Sequence, residues 1–157
     1  MSLTDEQLAE ALDRLEELLE EVVDRLDLDA TVNVSAQDDV LLGSVEGEDL
    51  GLFIGRRGQT IEAVQHLAQR IVFRERPSDV RVVIDADGYR ERREQVLHEE
   101  ADAAAEEALR LGEPVGLEPM TPAERRTIHE YLRERGDVDT HSEGQDPGRY
   151  LVVSPPS

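Results

Sequence analysis

The sequence predicts an α+β protein made of two small α/β-sandwich domains, each a three-stranded sheet with helices packed against it. Three observations carry that expectation. Apolar residues recur at spacings of three and four in some stretches and of two in others, so helices and strands alternate along the chain. Two groups of strands, each with its own helices, lie on either side of one long alanine-rich helix. A length of 157 residues suits one or two small domains.

Residues 4–26 open the chain as a helix. Thr4 with Gln7 three positions on forms a capping box. Leu8, Leu12, Leu15, Leu19, Val22 and Leu26 make an apolar stripe opposite an almost wholly acidic face. The stripe serves either to pack the helix on its own sheet or as a coiled-coil surface for a partner. Three heptads are short for an independent coiled coil, which favours packing. Residues 31–34 alternate with the strand period, and residues 40–45 follow after the polar turn Gln37-Asp38-Asp39, so a hairpin is expected. Residues 48–54 read as a short helical turn.

That turn delivers the loop Ile54-Gly55-Arg56-Arg57-Gly58-Gln59. Neither glycine carries a Cβ, so this backbone can approach another chain closely. A helix starting near Gln59 aims its first free N–H groups at the loop, which favours a phosphate there. Arg56 and Arg57 add two forked cations. Ile54 and Ile61 are expected to anchor the loop in the core. The following helix places Ile61, Val64, Leu67, Ala68, Ile71 and Val72 at helical spacing and stops at residues 74–78, which contain Pro77. His66 lies beside that face and is assigned no role. Residues 80–84 form a strand, and their apolar run predicts a central or nearly central position. Asp85-Ala86-Asp87 then reads as a strand end with Asp87 as helix cap, not as a metal-binding pair.

A long helix is expected over 88–111, stopped by Gly112, with Arg90, Arg92 and Arg93 early and Ala101, Ala104, Ala105 and Ala108 allowing close packing later. Residues 114–120 suggest a short edge strand between prolines. Thr121 and Glu124 form a second capping box, with Pro122 at the first helical position. On the helix that follows, Arg125, His129 and Arg133 are four apart and share a face, while Ile128 and Leu132 turn to the core. An Arg–His–Arg stripe can donate paired hydrogen bonds to phosphates; the plain alternative is a solvated basic face. Residues 138–142 and 149–153 pair as a hairpin across a Gly- and Pro-containing loop, and residues 154–157 are expected to fray.

Composition narrows the function. The chain has no cysteine, so it has no disulfide and no thiolate metal site. It has no run of about 20 apolar residues to span a membrane. Its acidic start is unlike a signal peptide, so a cytoplasmic protein is expected. The formal net charge is −20, which at first sight argues against nucleic acid. Its distribution matters more. Residues 1–50 carry 16 acidic and 2 basic side chains, whereas residues 51–93 carry 6 acidic and 9 basic ones. With a screening length of about 8 Å, a local basic patch can act beside a distant acidic helix. Asp85, Asp87 and His129 form no nucleophile–base or metal-ligand set, so no catalytic residue, metal or cofactor is expected.

The loop Ile54-Gly55-Arg56-Arg57-Gly58-Gln59-Thr60 resembles the nucleotide-clamping loop of a type II KH domain, which grips about four nucleotides. Glu124-Arg125-Arg126-Thr127-Ile128-His129 with His141-Ser142-Glu143-Gly144 resembles the Arg-x-x-x-His (R-3-H) domain, a binder of single-stranded nucleic acid. Together, with Leu117-Glu118-Pro119-Met120, they are similar to the Jag (KhpB, SpoIIIJ-associated) family of bacterial RNA-binding proteins over about residues 28–154. The resemblance implies domains at 28–87 (KH) and 88–154 (R-3-H), an acidic helix at 1–27 and a disordered tail at 155–157. It implies RNA contacts from Ile54, Gly55, Arg56, Arg57, Gly58 and Gln59, and a second set from Arg125, His129, Arg133 and Arg149. It implies single-stranded RNA as partner, with single-stranded DNA a further candidate. It further implies a small stand-alone KH protein as companion, homodimerisation as a candidate state, and a link to cell elongation and wall growth. The alternative is a protein-interaction adaptor working through the acidic N-terminal helix.

Overall fold

A computed structural model describes residues 2–157, which divide into two compact units, one ending at Arg90 and one from Glu91 to Ser157. In the first unit, helix α1 (Asp5–Arg25) leads to strands β1 (Ala30–Gln37) and β2 (Val40–Gly47), a short helix α2 (Gly51–Ile54), helix α3 (Gln59–Val72) and strand β3 (Arg81–Ala86). Thr4 caps α1 with both halves of the capping box in place: its Oγ1 accepts from the Gln7 N–H and the Gln7 side chain accepts from the Thr4 N–H. The helix packs on its own sheet, burying Ala11, Leu15, Leu19 and Val23. Leu8, Leu12, Val22 and Leu26, members of the expected stripe, flank that line half-buried. Gly43 of β2 admits the helix closely, because a Cβ there would lie 2.6 Å from a Leu19 methyl.

The sheet runs in the order β1-β2-β3, with β1 antiparallel and β3 parallel to β2. The expectation of a central last strand is therefore corrected: β2 is central and β3 is an edge. The apolar run in β3 alternates between buried and half-buried residues, and its outer edge is closed by side chains instead of a neighbouring strand. Gln69 donates to Val80 O (2.9 Å) and accepts from the Val82 N–H (2.7 Å), while Gln65 accepts from the Ile84 N–H (2.9 Å). Arg90 Nε donates to Ile84 O at 2.8 Å. The face of α3 is also narrower than its apolar spacing suggests. Ile61, Val64, Ala68 and Val72 are buried, but Leu67 is 54% and Ile71 39% exposed.

Helix α4 (Tyr89–Leu111) begins where the first unit ends and continues into the second. Asp85 serves its start: Asp85 Oδ1 accepts from the Ala86 and Arg90 N–H groups. The helix ends at Gly112, whose φ of 69° suits a left-handed stop. In the second unit, β4 (Val115–Gly116), α5 (Pro122–Arg135), β5 (Asp139–Glu143) and β6 (Tyr150–Ser154) follow, and the sheet order is β4-β6-β5. The alanines at 101, 104, 105 and 108 form the core with Ile128, Leu132, Leu151 and Val153. The chain end is held instead of frayed: the Ser157 N–H and hydroxyl both reach Asp139 Oδ2. Among the described residues, no helix is long and apolar enough to cross a membrane.

Candidate nucleic-acid interface

The loop between α2 and α3 is built on left-handed backbone. Gly55, Arg57 and Gly58 have φ of 74°, 54° and 76°. Gly55 donates to Gly51 O (2.8 Å), closing α2, and residues 56–58 make one tight turn into α3. Space as well as torsion requires the two glycines. A Cβ on Gly55 would lie 2.8 Å from the Thr60 nitrogen, and one on Gly58 would lie 2.7 Å from the Tyr89 hydroxyl. Arg57 accepts the left-handed strain that a side chain there costs.

No side chain caps the first turn of α3 at Gly58; the Gln59 N–H turns back to Arg56 O, and the positive end of the helix faces the loop. Arg56 is exposed and Arg57 half-exposed beside it. Glu62, the acid of this first turn, is paired with Arg90, which also donates to Gln65 Oε1 at 2.8 Å. The carboxylate nearest the loop in sequence is thus neutralised. Gln59 is exposed at the helix start. Ile61 is fully buried, but Ile54 is only half-buried; the residue that pins the loop from the N-terminal side is Phe53, with no exposure. Tyr89, backing Gly58, was not legible from the sequence, because nothing in a helix-start tyrosine announces which loop it meets.

In the second unit the structure separates residues that the four-residue spacing puts together. Arg125 is 8% exposed. Its Nη1 donates to Met120 O (2.6 Å), Asp146 Oδ1 (3.0 Å) and Arg149 O (3.4 Å). Arg125 therefore does not present a phosphate-binding fork. It sits in the first turn of α5, where the strand-to-helix connection and the β5–β6 loop converge, and their carbonyls capture it. His129 and Arg133, one and two turns on, are exposed. His129 Nδ1 meets the Thr140 hydroxyl of β5, which leaves Nε2 outward. Arg149 is half-buried and donates to Gly144 O (2.6 Å) and Ser142 O (3.4 Å), two carbonyls and no carboxylate. Its charge is held at the hairpin without neutralisation by an acid in those bonds.

Around that hairpin, Glu143 accepts from His141 (2.8 Å) and from the Tyr150 hydroxyl (3.1 Å). The His141 bond first, and then the Tyr150 bond, hold the Glu143 carboxyl below its ordinary value. The same carboxylate raises the Tyr150 hydroxyl. On the other side of α5, Tyr131 stacks on His98 at 4.0 Å and donates to Asp102, which raises its hydroxyl as well. The arrangement offers cations and outward donors.

Comparison with known proteins agrees in both units. Two family models match: the KhpA/KhpB KH domain over residues 13–84 and the R-3-H domain over residues 95–155. The chain is 35% identical over 144 residues to the RNA-binding protein KhpB of Clostridium symbiosum, covering 90% of this chain and 65% of that protein. It is 45% identical over 104 residues to the RNA-binding protein KhpB of Lactiplantibacillus plantarum, covering 66% and 32%. It is 35% identical over 112 residues to that of Bacillus subtilis, covering 70% and 54%. The chain therefore spans between about a third and two thirds of the length of these relatives.

Proposed function

The chain belongs to the KhpB family, with a KhpA/KhpB-type KH domain followed by an R-3-H domain, and from that premise we propose that it binds single-stranded RNA without catalysis. The loop of Gly55, Arg56, Arg57 and Gly58 grips the backbone, with Ile54 and Gln59 at its margins. His129 and Arg133 form the second contact, with Arg149 lending charge and Arg125 positioning the hairpin beside them. The observation that carries the reading is the start of α3, which no side chain caps, directly behind the exposed Arg56. Amide donors and forked guanidiniums are what phosphates take, and the adjacent acid is already paired with Arg90.

The same reading places the protein in the cytoplasm as an RNA chaperone or post-transcriptional regulator, with a stand-alone KH protein as companion and a part in cell elongation and wall growth. Single-stranded DNA is a weaker ligand of the same surface.

The test is the double substitution R56D/R57D, assayed against a random single-stranded RNA pool. It should remove most binding. In the parent protein, log affinity should fall with log salt at a slope of about −0.7 per phosphate neutralised. Unchanged binding by the double variant would sink the assignment of the loop.

A further inference from the structure

The two edges of the first sheet are treated differently. At β3 four backbone groups of the outward edge, Val80 O, Val82 N–H, Ile84 N–H and Ile84 O, are taken by Gln65, Gln69 and Arg90. At β1 no hydrogen bond among the described residues reaches the outer edge. Every second residue of this eight-residue strand therefore directs its N–H and C=O to solvent. Edges are normally blunted by charges, proline, a bulge or a cover. The β1 sequence, Ala-Thr-Val-Asn-Val-Ser-Ala-Gln, has no charge and no proline. Its eight residues pair with β2 without a break, from Ala30↔Gly47 to Gln37↔Val40.

From this contrast we infer that β1 is a docking edge, onto which an extended segment of a partner protein, alternating apolar and Arg or Lys residues, adds as a fourth strand. The apolar requirement comes from the inner face: Val32 and Val34 pack against the core yet stay half-exposed, and Val32 continues into an open groove with Val23, Leu28 and Ala30. A strand laid beside β1 would extend that row beneath α1. The basic requirement comes from charge. Glu20, Glu21 and Asp24 line the groove with one cation, Arg25, which is paired with Glu21; Asp27 and Asp29 precede the strand, and Asp38 and Asp39 follow it. No Arg, Lys or His occurs from Leu26 to Gly55. The same carboxylates disfavour a second copy of this chain, which would bring an identical acidic edge, and they repel RNA. The site is independent of the loop reading, since it uses the opposite edge of the sheet.

The experiment uses the full chain and a synthetic peptide of about eight residues, enough to span β1, alternating valine and arginine. Three companions test it: the same peptide with glutamate for arginine, the arginine peptide N-methylated at every second residue, and a single-stranded oligouridine. Binding is followed by fluorescence anisotropy and by amide hydrogen exchange. The arginine peptide should bind, slow exchange within residues 30–37 and weaken with salt. N-methylation keeps the charge but removes main-chain donors, so it should weaken binding about tenfold or more. The D38N/D39N variant should weaken it too, without loss of fold. The inference is overturned if the N-methylated or glutamate peptide binds as well, or if protection falls outside β1. It is equally overturned if oligouridine or self-association protects β1 without peptide.

Discussion

Arg125 and Arg133 lie about two turns apart on α5, and their surroundings are opposite. Arg125 is enclosed by two carbonyls and Asp146, whereas Arg133 is exposed with no partner among the described residues. Removing the first leaves Met120 O and the Asp146 carboxylate without the guanidinium they bind, so R125A should destabilise the second unit by about 2 kcal/mol. R133A should stay within about 0.5 kcal/mol of the parent and still weaken RNA. Denaturant titration and RNA binding on both variants check this, and an R133A protein with full affinity would take Arg133 out of the interface. Glu143 makes a pH prediction. Its folded-state carboxyl is held below the ordinary value by His141 and Tyr150. Its contribution is therefore complete above the ordinary carboxylate range of about 4.3 and disappears as pH falls through the lower folded value. The stability difference between parent and E143Q should shrink on acidification below that range. A difference that grows would reverse the sign assigned here.

At the scale of elements, the sequence showed best what depends on local chemistry. Both capping boxes, the hairpin turn around Asp38 and the stop at Gly112 are satisfied within a few residues, so their patterns can be read in one stretch. The α+β order of both units followed from them. What failed depended on distant neighbours. The apolar run of β3 looks like a central strand, but its second neighbour is a pair of glutamines on α3. Leu67 and Ile71 have core spacing and core chemistry, but nothing packs over them enough to bury them. At the candidate site, the glycines and Arg56 were legible because a loop declares its own backbone needs. The capture of Arg125 was not, because Asp146 and Arg149 reach it across the fold. Gln69 gives this scale its test. Its amide takes one acceptor and one donor of the β3 edge, so Q69A should speed exchange of the Val82 N–H while leaving the β1–β2 ladder as protected as before. Unaltered exchange at Val82 would show that the edge is protected by something other than this side chain.

Over the whole molecule, charge acts on folding and on binding with opposite dependence on salt. A formal charge of −20 over 157 residues repels itself in the compact state, and added salt screens that repulsion. The acidic side chains cluster in residues 1–50, where 16 of them face 2 basic ones. Ion pairs there, such as Arg14 with Glu10 and Glu75 and Arg25 with Glu21, are exposed to solvent on at least one side and contribute little to offset it. RNA binding works the other way, since phosphate contacts release counterions and weaken as salt rises. Raising salt from about 20 to about 200 mM, one long to one short screening length, should therefore raise the melting temperature of the free protein and lower its RNA affinity together. A strongly basic RNA binder has self-repulsion of the other sign but the same two trends. The distinguishing feature here is the small size of the affinity slope, because only a few cations are exposed at the loop and on α5. Thermal melts and RNA titrations along one salt series measure both trends. A slope that requires many more neutralised phosphates than Arg56, Arg57, Arg133 and Arg149 can supply would place the main RNA contact elsewhere on the chain.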